Sequence, residues 1–147
     1  MKAIFSRNHF YINPALQARI ATAKIAFLGT GLASTLAEVM VRTGFINFFL
    51  CDGDLVEISN LNRQNFIQSD IGKKKVSSLK SRLHAINPDI SCTCLDERIK
   101  SLQQIENELN EADIIINTVD CGPLYFDIIE TYRKNNKLII CPFNPGF

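Results

Sequence analysis

Short apolar runs alternate along the chain with longer segments whose apolar residues recur at spacings of three and four. Lys24-Ile25-Ala26-Phe27-Leu28 is apolar after its first residue and stopped by Gly29, the pattern of a strand buried on both faces. Residues 32–43 follow as a helix with Leu32, Leu36, Val39 and Met40 on one side, and Gly44 ends it as a C-cap. Residues 45–51 read as a second buried strand, closed by Asp52-Gly53-Asp54, and the polar stretch 57–70 as loop or short helix. In residues 73–86, Val76, Leu79, Leu83 and Ile86 form a helical stripe that Asn87-Pro88 interrupts. Ile90, Cys92 and Cys94 alternate, which puts them on one face of a third strand. Residues 101–112 predict a helix with Ser101 and Gln104 as a capping box, and Ile114-Ile115-Ile116 a fourth strand. Pro123 suits the first position of a helix running to about Asn136, and residues 138–141 are a fifth strand.

Strict alternation of strands and helices predicts a Rossmann-like α/β fold, a doubly wound and mostly parallel sheet, because right-handed crossovers place each helix on a sheet face. No repeat or linker divides the sequence, so it reads as one domain over 1–147, with an N-terminal arm and helix (1–21) leading into the core (22–147). Ligands in such sheets bind beyond the carboxyl ends of the strands. Attention therefore falls on 29–34, 52–63 and 117–122.

Composition narrows the class. Hydrophobic residues at 46 % and charged residues at 21 % are ordinary for a globular domain. A formal charge of +1 gives no electrostatic case for nucleic acid or an anionic membrane. No apolar run approaches the roughly 20 residues of a membrane helix, and Met1 to Arg7 lacks the pattern of a secretion signal. Five cysteines, an odd number in no zinc-ligand array, point to a reducing cytoplasm.

Three segments carry chemistry. Gly29-Thr30-Gly31 joins a strand to a helix, where small residues let backbone N–H groups approach a phosphate. Asp52, ending the next strand, can accept hydrogen bonds from ribose hydroxyls. On these residues alone the nucleotide could equally be NAD, or the glycines a tight turn. Lys73, Lys74 and Lys75 at a helix start oppose the helix dipole, which favours an anionic partner for at least one of them. They also fit a plain charged helix start or a nucleic-acid patch. Arg63 suits a solvated surface cation, and Asp120 suits a cap for the helix at Pro123.

The run from Asp52 through Asp54, Asn60 and Arg63 to Gln64 resembles the adenylation signature of the ThiF/MoeB/HesA family, within the ubiquitin-activating-enzyme superfamily. The resemblance continues through Gly72-Lys73-Lys74-Lys75-Val76, Ile86-Asn87-Pro88 and Asn117-Thr118-Val119-Asp120, and begins at Phe5-Ser6-Arg7 and Gln17-Ala18-Arg19. It implies an ATP-dependent adenylyltransferase that activates the C-terminal carboxylate of a ubiquitin-like or sulfur-carrier protein, working as a homodimer. A carboxylate attacks the α-phosphate of ATP while pyrophosphate leaves, so the accumulating negative charge must be neutralised and the groups held in line. By resemblance, Gly29 and Gly31 cradle the nucleotide, Asp52 binds ribose, and Asn60 and Arg63 contact phosphates. Lys75 stabilises phosphate charge, Asp120 holds Mg²⁺, Asp54 supports the site, and Arg7 reaches into the neighbouring subunit's ATP site. Of the cysteines, only Cys121, beside Asp120, stands near this chemistry; Cys51, Cys92, Cys94 and Cys141 read as packing.

Two departures from the family pattern shape the alternatives. Gly29-Thr30-Gly31-Leu32-Ala33-Ser34 is one residue shorter than the family's Gly-x-Gly-Gly-x-Gly-Ser, with Ala33 bringing a Cβ where a glycine is usual, against the phosphates if the loop keeps its course. The sequence also stops at Pro145-Gly146-Phe147, where relatives continue with further strands and a carrier-docking surface. It therefore reads as a sheet short on its C-terminal side, with an edge that favours oligomerisation. The rival readings are a relative that adenylates a small carboxylate on tRNA, a degenerate non-catalytic partner subunit, and an NAD-binding fragment.

Overall fold

The computed structural model describes residues 3–142; Pro145-Gly146-Phe147 lie outside them. Five strands, β1 (Lys24–Leu28), β2 (Asn47–Cys51), β3 (Ser91–Leu95), β4 (Ile114–Asn117) and β5 (Leu138–Ile140), form one sheet in the order β3-β2-β1-β4-β5. Every pairing is parallel. The helices are α1 (Pro14–Thr22), α2 (Ala33–Thr43), α3 (Lys75–Ile86), α4 (Glu106–Glu111) and α5 (Pro123–Lys134), preceded by a 3₁₀ segment at Ala3–Phe10.

The period-two alternation of β1 to β4 feeds two separate cores. Ile25 and Phe27 of β1 join Phe48 and Leu50 of β2 in packing against α2 and α3. Ala26 and Leu28 turn to the opposite face with Phe49 and Cys51, against α4 and α5. Fully buried Leu79, Leu83, Ile128 and Tyr132 close the two layers. Strand order reverses between β1 and β4, so the loops leaving these strands splay to opposite faces and open a crevice, as doubly wound sheets require.

Most local expectations hold. Gly44 caps α2 at φ +119, where its N–H returns to Met40 and Val41. Ile90, Cys92 and Cys94 do share one core face. The helix expected over 101–112 is instead a 3₁₀ turn at Leu102–Gln104 followed by α4, broken at Ile105 with φ −129 and ψ 8. Ile105, at the break, is fully buried in the second core. Ser101 makes no side-chain cap, and Gln104 reaches back to the Lys100 N–H. Ala33 is also placed differently: it is 1 % exposed and packs in the first core, so its Cβ does not crowd the crevice.

Candidate functional site

A cleft of about 400 Å³ opens beyond the carboxyl ends of β1, β2 and β4. Seven predicted residues line it: Gly29, Gly31, Asp52, Asp54, Arg63, Lys75 and Asp120. They are distant in sequence, and the parallel sheet brings them together.

Gly29 turns the chain out of β1 at φ +82, a left-handed conformation that disfavours side chains. A Cβ there would also lie 2.6 Å from Thr118 Oγ1, which donates to the carbonyls of Leu28 and Gly29. At Gly31 the close neighbour is a side chain. A Cβ at Gly31 would lie 2.8 Å from the carboxamide of Gln64, which packs flat on the loop. Ser34 joins the same two segments, donating to the Gly31 carbonyl and accepting from the Asn65 N–H. The glycine loop and the signature segment are thus one assembly.

Asp52 fastens that assembly to β2. Its Oδ2 accepts from the Thr30 N–H at 2.8 Å and the Thr30 hydroxyl at 2.9 Å, and its Oδ1 accepts from the Asp54 N–H at 2.9 Å. A carboxylate offers about four acceptor positions, so one on Oδ1 stays available to a ligand hydroxyl.

Opposite charges meet in the centre. Lys75 Nζ lies 3.3 Å from Asp54 Oδ2, and the guanidinium of Arg98 lies 3.0 Å from Asp54 Oδ1. Partial burial would push the Asp54 carboxyl up, but the hydrogen bond from Arg98 and the charge and hydrogen bond of Lys75 outweigh it and hold the group low. The Lys75 side chain is only 9 % exposed, so its ammonium is fixed in the cleft wall. Lys74 pairs with Asp96 at 3.2 Å, and Lys73 lies 4.0 Å from Asp70. The anionic partners expected for this helix start are therefore supplied by the chain itself.

Arg63 is exposed at the rim, where Nη1 donates to the Ser59 carbonyl and to Asn62. Asn60 is not brought into the cleft lining: it is buried, with Oδ1 accepting from the Glu57 N–H, and it shapes the turn that presents Arg63. Arg7 is exposed in the N-terminal 3₁₀ segment and is not among the residues lining this cleft. Asp120 is exposed just beyond β4. It does not cap α5, whose N-cap is Gly122 without a side-chain hydrogen bond. Cys121 is exposed, whereas Cys51 is buried beneath the cleft, its thiol pushed up to about 12 by burial and the neighbouring Asp52 charge. Among the described residues no group of three or more His, Cys, Asp or Glu could hold a metal by itself. A cation here would need ligand oxygens beside Asp120, the usual arrangement for Mg²⁺ on a nucleotide.

Sequence reading missed Arg98 and the packing role of Gln64. Arg98 stands in an irregular loop after β3 without a motif around it. Only the strand order, which puts β3 next to β2, could have signalled it. Gly53 belongs to the same contact, since a Cβ there would lie 2.5 Å from the Arg98 backbone nitrogen.

Known proteins resemble this chain in sequence and in fold. Over 126 residues the chain is 32 % identical to the sulfur carrier protein ThiS adenylyltransferase of Bacillus subtilis, covering 82 % of this chain and 37 % of that protein. It is 29 % identical over 114 residues to rat ubiquitin-like modifier-activating enzyme 5, covering 69 % of this chain and 28 % of that one. A tRNA threonylcarbamoyladenosine dehydratase of B. subtilis is 36 % identical over 93 residues, 62 % of this chain and 37 % of the dehydratase. The chain thus spans well under half the length of each of these relatives. Among solved structures, Escherichia coli MccB with AMPCPP and MccA superposes at a TM-score of 0.84 with 27 % identity, over 95 % of this chain and 44 % of MccB. E. coli tRNA threonylcarbamoyladenosine dehydratase in complex with ATP gives 0.83 with 24 % identity, over 90 % of this chain and 55 % of that one, a likeness of fold. The sequence model of the ThiF family matches residues 5–140, nearly the whole chain. By that match, and by the five-stranded parallel sheet that carries it, the chain belongs to the ThiF family.

Proposed function

We propose that the cleft binds ATP with Mg²⁺ and that the chain activates the C-terminal carboxylate of a ubiquitin-like or sulfur-carrier protein by adenylation. One observation carries this reading: the cations Arg63 and Lys75 and the carboxylates Asp52 and Asp120 line one cleft at the carboxyl ends of parallel strands. Its support from relatives is the ThiS adenylyltransferase, whose name states the reaction.

Each residue then has a part. The free acceptor position of Asp52 takes a ribose hydroxyl, and the backbone around Gly29 and Gly31 faces the phosphates. Lys75, fixed by Asp54, neutralises charge that grows on the α-phosphate as the incoming carboxylate bonds to phosphorus and the bond to pyrophosphate breaks. Arg63 swings from its Ser59 carbonyl to the phosphates, and Asn60, its Oδ1 engaged by the Glu57 N–H, serves them by holding the turn that carries Arg63. Asp120 would hold Mg²⁺, which draws phosphate charge when bound. Arg7 completes the site of a second subunit, so the working form is a homodimer. Five cysteines in no zinc-ligand or dense disulfide spacing suit a reducing cytoplasm, and no helix among the described residues is long and apolar enough to cross a membrane.

A second reading, adenylation of a small carboxylate on tRNA, draws on the 36 % identity to the dehydratase. Mass spectrometry of a ubiquitin-like or sulfur-carrier protein incubated with the chain, ATP and Mg²⁺ separates the two. An AMP adduct on the carrier's C-terminus, with carrier-dependent pyrophosphate release, is the expected result. Pyrophosphate release that needs modified tRNA and ignores every carrier would overturn the first reading in favour of the second.

A further inference from the structure

Arg98 is unassigned by the family resemblance, yet it lies in the same cleft with its guanidinium on Asp54. Its side chain is 80 % exposed, so the pairing alone explains little of why it is held there. The backbone brings it in closely: residue 98 packs on Gly53, and any larger residue at 53 would strike its nitrogen.

The strand order gives the position a meaning. From one side of the cleft to the other run β3 with Arg98, β2 with Asp52, β1 with the glycine loop, and β4 with Asp120. On the reading above, ribose sits at β2 and the phosphates run towards β1 and β4. The base must then extend the other way, over the end of β3. Adjacent strands are about 4.8 Å apart, so this end lies about 10 Å across the sheet from the glycine loop. It is lined by Glu97, Arg98 and Ile99.

We propose that Arg98 is a nucleobase-positioning residue, its guanidinium plane pinned by Asp54 and laid over the purine ring of the bound nucleotide. A planar guanidinium stacks on an aromatic face, which an ammonium cannot reproduce. Asp54 then serves both ends of the nucleotide, holding Lys75 through Oδ2 and Arg98 through Oδ1. This inference rests on the cleft being an ATP site.

Calorimetry with Mg²⁺ on the chain, Arg98→Ala and Arg98→Lys, titrated with ATP and separately with inorganic tripolyphosphate, tests it. Exposure of Arg98 predicts melting temperatures close to wild type for both variants, since an exposed ion pair contributes little. Both should weaken ATP about tenfold and leave tripolyphosphate affinity as it was. Equal losses for the two ligands, or full rescue of ATP affinity by lysine, would make Arg98 a phosphate cation and overturn the proposal. Wild-type ATP affinity in Arg98→Ala would overturn it too, with the ATP site intact. A folded wild-type chain that binds no ATP would instead overturn the function proposed above, and this inference with it.

Discussion

Lys75 and Asp54 form an ion pair 3.3 Å long in which the lysine is almost fully buried and the aspartate faces the cleft. The buried ammonium depends on that carboxylate, since its removal would strand a desolvated charge. Asp54→Ala should therefore destabilise the fold by about 1–2 kcal/mol, less than a fully buried pair because Asp54 is partly solvated. Urea unfolding at neutral pH measures this.

The same pair predicts a pH dependence. Lys75 and Arg98 hold the Asp54 carboxyl below its ordinary value, so its stabilisation is complete above the ordinary carboxylate range. It is lost as pH falls through the lowered value. Asp54→Asn should be less stable than wild type at neutral pH and converge on it in acid. Thermal melts across an acid series show whether the gap closes.

The two cleft glycines should behave differently. Gly29→Ala meets both a left-handed backbone and Thr118, and should cost about 1–3 kcal/mol of stability. Gly31→Ala meets a side chain that can turn away, so it should melt near wild type while displacing Gln64. Circular dichroism melts of the two variants decide between these expectations and a uniform effect.

Exposure separates the thiols. Cys121 is exposed, and Cys51 is buried with its thiol pushed up to about 12. Iodoacetamide at mildly alkaline pH should label Cys121 in the folded chain and reach Cys51 only after unfolding. Peptide mapping after a timed pulse gives the order.

Arg7 offers a test of the proposed dimer. If it acts on the neighbouring subunit, Arg7→Ala and Asp120→Ala are each inactive alone but make one intact site in a mixed dimer. Random mixing should restore about a quarter of wild-type pyrophosphate release. A mixture as inactive as its components would remove Arg7 from the active site.

Much of this was legible in the sequence because local and global signals agree. Buried runs such as Ile114-Ile115-Ile116 can only be central strands in an alternating pattern, and Gly44 marks a helix end by its left-handed backbone. Asp52, Lys75 and Asp120 could be picked out as candidates because their motifs are contiguous, and all three line the cleft. The break at Ile105 was hidden because Leu102, Ile105 and Leu109 keep a helical spacing across it. Arg98 was invisible for another reason: its partner Asp54 is 44 residues away, and only the folded sheet juxtaposes them. Ala33 looked like an obstruction until its Cβ was seen to point into the core.

The central claim is that this cleft binds ATP through Arg63 and Asp120, and calorimetry with Mg²⁺ tests it most directly. Wild type should bind ATP, and Arg63→Ala and Asp120→Ala, both altered at exposed positions, should stay folded and lose that binding. Absence of ATP binding by the folded wild-type chain, or undiminished binding by both variants, would contradict the account.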